Sequence, residues 1–193
     1  MNSKRNFMLG AFGAAAALPA LATGARSTGC MPNVVLQTHL GKEVRFYDDL
    51  VKGNKVVVFN MIYTACQNIC PPNTANLIQV QKLLGNRMGR DIFFFSITLQ
   101  PEVDKPRDLH AYARQYGLAP GWTLLTGDRR DVDTVRKTLG FVDADPVVDT
   151  LLERHTGMLR IGNADIDRWS MMPSLLRPQQ IARSITSMKK RVS

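Results

Sequence analysis

A continuous apolar run that breaks into a cysteine-bearing turn constrains this chain most. Val56-Val57-Val58-Phe59-Asn60-Met61-Ile62 leads without a gap into Tyr63-Thr64-Ala65-Cys66-Gln67-Asn68-Ile69-Cys70-Pro71-Pro72. Apolar, β-branched residues in series, without alternation, describe a strand buried on both faces, as in a sheet with helices above and below. Such a strand ends at the carboxyl edge of the sheet, where α/β folds keep their chemistry. If the turn then opens a helix, its unpaired N–H groups favour a thiolate. Positions i and i+4 of that helix share a face, so both sulfurs would point the same way. The pair can close a disulfide or hold one soft metal ion between them.

The rest of the chain supplies partners for that strand. Residues 34–46 read as a hairpin with its turn near Gly41, and 48–53 as a short helical turn or loop. After the strand at 55–63, a helix is expected from Asn73 to Met88, with Leu77, Val80, Leu83 and Leu84 at helical spacing. Residues 91–98 form a second buried strand. A helix follows over 106–116, with Pro106 suited to its first turn and Gly117 to its end. A short strand at 122–126 precedes a helix over 129–139 that Gly140 stops. A strand at 156–161 is expected to run antiparallel to its neighbours. The closing helix, 178–190, has Ile181, Ile185 and Met188 on one stripe. Strands alternating with helices predict an α/β sheet covered on both faces.

With 193 residues, the chain is long enough for one domain with a real core. Its first 25 residues read as an export signal or N-terminal anchor: Lys4-Arg5, then an apolar stretch from Ala11 to Leu21, then small residues for a peptidase. Ser3-Lys4-Arg5-Asn6-Phe7-Met8 is also similar to the twin-arginine export signal, with lysine in the first arginine position. Residues 26–33 read as a polar tether and 34–193 as the folded domain. The formal charge of +9 falls to about 9 − 2 = +7 without Lys4 and Arg5. Those charges are scattered, and no basic stripe interleaved with aromatics argues for nucleic acid. Export to the periplasm exposes cysteine pairs to oxidation, so a pair kept reduced needs a thiol reductant as a partner. The third cysteine, Cys30, lies in the tether and is a poor match to a lipoprotein acylation site.

Across most of residues 34–187 the chain resembles the Sco/SenC family of copper proteins. The resemblance rests on the hairpin turn at Gly41-Lys42, the strand over 55–62 and Thr64-x-Cys66-x-x-x-Cys70-Pro71. It continues through Ser96-Ile97-Thr98 with Pro101-x-x-Asp104, Leu109-x-x-Tyr112, Trp122-x-x-Leu125-Thr126-Gly127, and His155 before a late strand. It implies a thioredoxin-like α/β fold of the peroxiredoxin kind, in which helices flank a mixed central sheet and a hairpin lies at the N-terminus. It also implies copper, as Cu(I) or Cu(II), held by Cys66, Cys70 and His155. The implied role is a metallochaperone that delivers copper to a subunit of cytochrome c oxidase, or prepares its thiols. The chain departs from the family pattern at Gln67 and Asn68, where proline and aspartate are usual. It departs also at Gln100, usually aspartate, and at Arg154, where an acidic residue usually precedes the histidine.

Chemistry sets the alternatives. Thiolates select Cu(I), and an added imidazole suits either copper state. Two sulfurs and one nitrogen leave a site open to an incoming acceptor thiolate, whereas structural zinc takes four protein ligands. A disulfide closing so short a loop would stabilise little as a staple. The rival function is a thiol–disulfide oxidoreductase with Cys66 and Cys70 as its redox pair, although such enzymes favour Cys-x-x-Cys. A thiol peroxidase lacks the expected Pro-x-x-x-Thr-x-x-Cys. His39 and His110 read as solvated, Met171-Met172 as a loop or core pair, and Asp104 and Asp108 as anions at the start of the 106–116 helix.

Overall fold

Alternating burial at the start of the domain fixes one edge of the sheet. In the computed structural model, which describes residues 31–154 and 157–189, β1 (Val35–Thr38) and β2 (Glu43–Arg45) bury every second side chain. Gly41 turns the hairpin at φ +78°, a conformation L side chains rarely adopt. One wide helical turn, Phe46–Val51, then covers the sheet with Phe46, Leu50 and Val51. Residues 1–25, read from the sequence as an export signal or anchor, and Cys30 and His155 lie outside the described residues.

The central strands follow: β3 (Val56–Ile62), with all seven residues buried, then α1 (Cys70–Leu84), β4 (Ile92–Thr98) and α2 (Pro106–Gln115). After them come β5 (Trp122–Gly127), α3 (Arg129–Thr138), β6 (Met158–Asn163), β7 (Arg168–Pro173) and α4 (Pro178–Ser187). The sheet order is β2-β1-β5-β4-β3-β6-β7. β3, β4 and β5 are parallel, and β1 and β6 flank them antiparallel. The mixed sheet with helices on both faces is the architecture expected from the pattern.

Two apolar layers result. On one face α1, α2 and α4 pack Leu77, Val80, Leu109, Ile181 and Ile185 against Val56, Val58, Phe94 and Leu124. On the other, α3 and the Phe46–Val51 turn pack Val132, Val135 and Phe46 against Val57, Phe59 and Ile97. Trp122 Nε1 donates to Ser96 Oγ at 2.8 Å, and that hydroxyl donates to Asn60 Oδ1 at 2.7 Å, so the polar atoms inside the sheet satisfy one another.

Four local expectations need correction. α1 begins at Cys70, not Asn73, because prolines at 71 and 72 suit a first turn whose N–H groups lack helical partners anyway. Leu83 is 52% exposed: Leu77, Val80 and Leu84 occupy the buried stripe and leave no room on it for its neighbour. β7 is a strand where the sequence pattern offers none. It pairs with β6 from Met158↔Pro173 to Asn163↔Arg168, and Trp169 lies where a Cβ on Gly162 would come within 2.0 Å of its ring. Met171 and Met172 belong to this strand and pack against opposite layers. His39 is half-buried rather than solvated. Its Nδ1 accepts the Leu124 N–H at 3.2 Å, and its ring lies 6.0 Å from that of His110, also half-buried.

Candidate functional site

The cysteine turn begins where β3 runs out of sheet. Tyr63 is the first residue beyond the strand, and its carbonyl accepts the Cys66 N–H at 3.1 Å, closing a tight turn. Cys66 is therefore in the loop and not in the helix, so the expected i, i+4 geometry within one helix does not apply. The sulfurs meet by another route. Ile69, at the N-cap of α1, offers no side-chain cap, and Cys66 Sγ accepts the Cys70 N–H at 3.3 Å. The sulfur thus takes the place of the oxygen that usually satisfies a helix-start donor.

Both thiols are buried, Cys66 at 6% and Cys70 at 1% exposure, and no disulfide joins them. Burial alone pushes the Cys66 thiol up. Hydrogen bonds from the Cys70 and Tyr63 side chains and from the Cys70 and Ile69 backbone outweigh it and hold the thiol below its ordinary range. Beneath the pair, Tyr112 hydrogen-bonds Thr74 at 2.7 Å. Burial, reinforced by the neighbouring tyrosine and cysteines, keeps that phenol protonated well above its usual range. Gln67 and Asn68, between the two buried cysteines, are exposed. The result is a two-sulfur site under a thin, solvent-facing arc.

Asp104 does more than start a helix. It is fully buried, and its carboxylate accepts the Thr64 N–H at 3.1 Å, the Thr64 hydroxyl and the Thr98 hydroxyl at 2.5 Å. It pins the residue two before Cys66 to the end of β4. Asp108 does take the expected part: its carboxylate accepts the Lys105 N–H at 3.1 Å at the start of α2.

The opposite flank is tied as well. Ser174 is fully buried; its hydroxyl lies 2.8 Å from Asn73 Oδ1 and 3.0 Å from the Gly157 carbonyl, and its N–H donates to that carbonyl at 2.9 Å. Asn76 Nδ2 donates to the Ser174 and Leu176 carbonyls at 2.7 and 2.9 Å. A Cβ on Gly157 would sit 3.8 Å from Ile69 Cδ1. The segment that follows His155 is therefore fastened against the start of α1. Among the described residues no three His, Cys, Asp or Glu side chains form a metal-sized cluster.

A SCO1/SenC family model matches residues 35–190. The SCO1 protein homolog of Bacillus subtilis (strain 168) is 37% identical over 92 residues, which are 47% of this chain and 46% of that protein. The match thus spans about half the length of that curated relative. BsSco, a member of the Sco family of cytochrome c oxidase assembly proteins in which a disulfide switch has been identified, superposes with a TM-score of 0.65 at 24% identity, over 82% of this chain and 92% of that one. Bradyrhizobium japonicum ScoI with copper bound gives a TM-score of 0.61 at 19% identity, over 80% of this chain and 96% of that one. At these identities the solved structures speak to the fold.

Proposed function

From the premise that this chain belongs to the SCO1/SenC family, we propose that it is an exported metallochaperone that holds one copper ion through Cys66, Cys70 and His155. The observation that supports this best is the pair of buried thiols in mutual contact at the start of α1, with Cys66 held toward thiolate. Soft sulfurs at hydrogen-bonding separation, with the Cys66 thiol lowered toward thiolate, suit Cu(I), and the buried floor leaves the approach through the exposed arc at Gln67 and Asn68. His155 is two residues from Gly157, which packs on Ile69, and two residues of chain span at most about 7 Å. That tether supports the histidine as third ligand, an imidazole suited to either copper state. Copper is the cargo here, passed to an acceptor such as an oxidase subunit. The site of action is the periplasm, reached through residues 1–25 as signal or anchor, with 26–33 as tether.

The test is copper binding by the reduced protein and by His155→Ala. One equivalent is expected for the wild type, with affinity for Cu(II) reduced by at least about tenfold in the variant. Equal affinity in both proteins would remove His155 from the site.

The depressed Cys66 thiol also supports a second reading, reduction of a partner disulfide. Cys66 thiolate would attack the partner disulfide and form a mixed disulfide. Cys70 would then displace the second partner thiol, leaving Cys66–Cys70 oxidised and the partner with two thiols. A periplasmic thiol reductant would restore the pair. Rapid turnover of a protein disulfide, unchanged by His155→Ala, would favour this reading over copper carriage.

A further inference from the structure

The net charge that looks scattered along the chain collects on one layer of the fold. α1, α2 and α4 cover the same face of the sheet. The segments that carry these helices, residues 63–91, 106–127 and 168–193, hold eleven of the chain's 25 Lys and Arg but only two of its 16 Asp and Glu. The remaining residues hold fourteen of each, so the whole formal charge of +9 resides in these segments. Of the two acids, Asp108 lies 3.4 Å from Arg107 at the start of α2. Asp91 takes three cations: Arg87 at 3.0 Å, Arg90 at 3.7 Å and Lys189. Lys82, Arg114 and Arg183 are exposed and form no ion pair among the described residues. Lys82 and Arg114 stand in last helical turns, where a cation complements the helix dipole. That accounts for their positions but not for the absence of acids around them, and Arg183 lies in the middle of α4.

Apolar surface accompanies the charge. Two grooves flank the end of α1. One, of about 350 Å³, lies against the loop between α2 and β5; Ile78, Met88, Ala119 and Pro120 line it, with Lys82 in its wall. The other, of about 280 Å³, lies against α4; Leu83, Leu84 and Ala182 line it, with Arg183 in its wall. Leu83, which the core leaves 52% exposed, therefore belongs to a surface of its own.

We propose that the end of α1, with its two grooves, docks on the surface of an anionic phospholipid bilayer. This rests on the reading of residues 1–25 as signal or anchor, which brings the domain beside a membrane, and it needs no copper. The charge demands an anionic partner. The cations are spread over α1, α2 and α4 beside apolar grooves rather than converging on one point, which suits a field of phosphates over acyl chains better than the paired oxygens of a single carboxylate. Each Lys or Arg brought to such a surface strengthens binding about fivefold. Cys70 begins α1, and Lys82 lies twelve residues on, about 18 Å along the helix axis. Docking by this end holds the cysteine turn away from the bilayer, open to an acceptor.

The test is amide hydrogen exchange of the full, copper-free chain on phosphatidylcholine vesicles with and without phosphatidylglycerol. Exchange over residues 78–90 and 179–189 should slow only where phosphatidylglycerol is present, and the slowing should vanish in about 1 M NaCl, where screening acts within about 3 Å. The docking constant read from that slowing should fall about fivefold for each cation removed, so Lys82→Gln, Arg114→Gln and Arg183→Gln together should nearly abolish it. The same number of changes elsewhere, Lys42→Gln, Arg130→Gln and Lys137→Gln, should leave it in place. Retention of the chain on both kinds of vesicle without slowing at the end of α1 would overturn docking while leaving the anchor reading intact. Slowing spread evenly over both faces of the sheet, equal loss in the two triple variants, or slowing by soluble poly-glutamate but not by phosphatidylglycerol would overturn it too, the last in favour of an acidic protein. Copper enters none of these measurements, so their failure is separate from failure of the copper reading.

Discussion

Replacing Asp104 with alanine should be among the most damaging single changes available outside the sulfur pair. The carboxylate is fully buried and accepts from three donors: the Thr64 N–H, the Thr64 hydroxyl and the Thr98 hydroxyl. Stranding one buried donor, the Thr98 hydroxyl, and two part-buried ones on Thr64 costs about 1–3 kcal/mol each, or roughly 6 kcal/mol together. Removing a desolvated carboxylate returns about 3 kcal/mol of that. The net loss is about 3 kcal/mol, which for a domain of this size lowers Tm by about 6–12 °C. Asp104→Asn is the informative control. Its carbonyl can keep the Thr64 N–H and the Thr98 hydroxyl, and the Thr64 hydroxyl can turn to accept from the new NH₂. Only charge assistance is lost, about 1 kcal/mol. Urea unfolding of the wild type and both variants measures the difference through the midpoint at constant slope. An Asp104→Ala protein within about 0.5 kcal/mol of wild type would refute the argument. So would an asparagine variant as damaged as the alanine one, because acceptor count would then not be what matters.

Three further outcomes are expected. Burial, with repulsion from His110 added, lowers the His39 pKa in the folded state. The unfolded chain therefore binds the extra proton first, and stability should fall as pH drops below about 6.5 toward the depressed folded value. His39→Gln should flatten that part of the pH profile, and an unchanged slope would discount the histidine. Ser174→Ala should cost about 1 kcal/mol by removing the hydroxyl shared by Asn73 and Gly157. Hydrogen exchange at Gly157 should quicken in that variant, and unaltered protection would mean that the Ser174 N–H alone holds the loop. Asn68→Asp places a carboxylate two residues from Cys66, within about 7 Å, where a solvent-screened charge is worth about 0.6 kcal/mol. The pH midpoint for alkylation of Cys66 should rise by about 0.4 unit, and a shift above one unit would mean that the arc is not solvent-facing.

The parallel centre of the sheet was legible because its signals are local. Val56–Ile62 and Ile92–Thr98 are uninterrupted runs, and the hairpin shows alternation. The features that escaped depend on distance along the chain. β7 reads Arg168-Trp-Ser-Met-Met-Pro, a short polar-flanked edge whose pairing is set by its fit to Gly162 and Met158 on β6. Asp104 lies 40 residues from Thr64. Its spacing before Pro106 offers a sufficient local explanation as a helix-start anion, and the tertiary role is invisible without the fold. His39 looks like a turn residue until β5 supplies the Leu124 N–H. At the site, the chemistry was legible but the geometry was not: the sulfurs come together through a sulfur-capped helix start rather than through a shared helical face.

That difference governs how the departures from the family pattern act. Gln67 and Asn68 are exposed between buried sulfurs, and Arg154 is exposed beside the position of His155 in the sequence. None of the three side chains contributes to the hydrogen bonds that fix Cys66, which come from Cys70, Tyr63 and the Ile69 and Cys70 backbone. Substitutions on a solvent-facing arc change stability by about 0.5 kcal/mol at most. They change what an approaching partner meets far more: proline and aspartate give way to two neutral amides, and an acidic residue to a guanidinium. Long-range steering depends on such surface charge, whereas soft-metal affinity depends on the sulfurs beneath it. The buried sulfurs therefore keep the thiols of the family pattern, and under the proposed copper reading, which brings His155 to them, Arg154 in place of an acidic neighbour makes an acidic acceptor the expected partner.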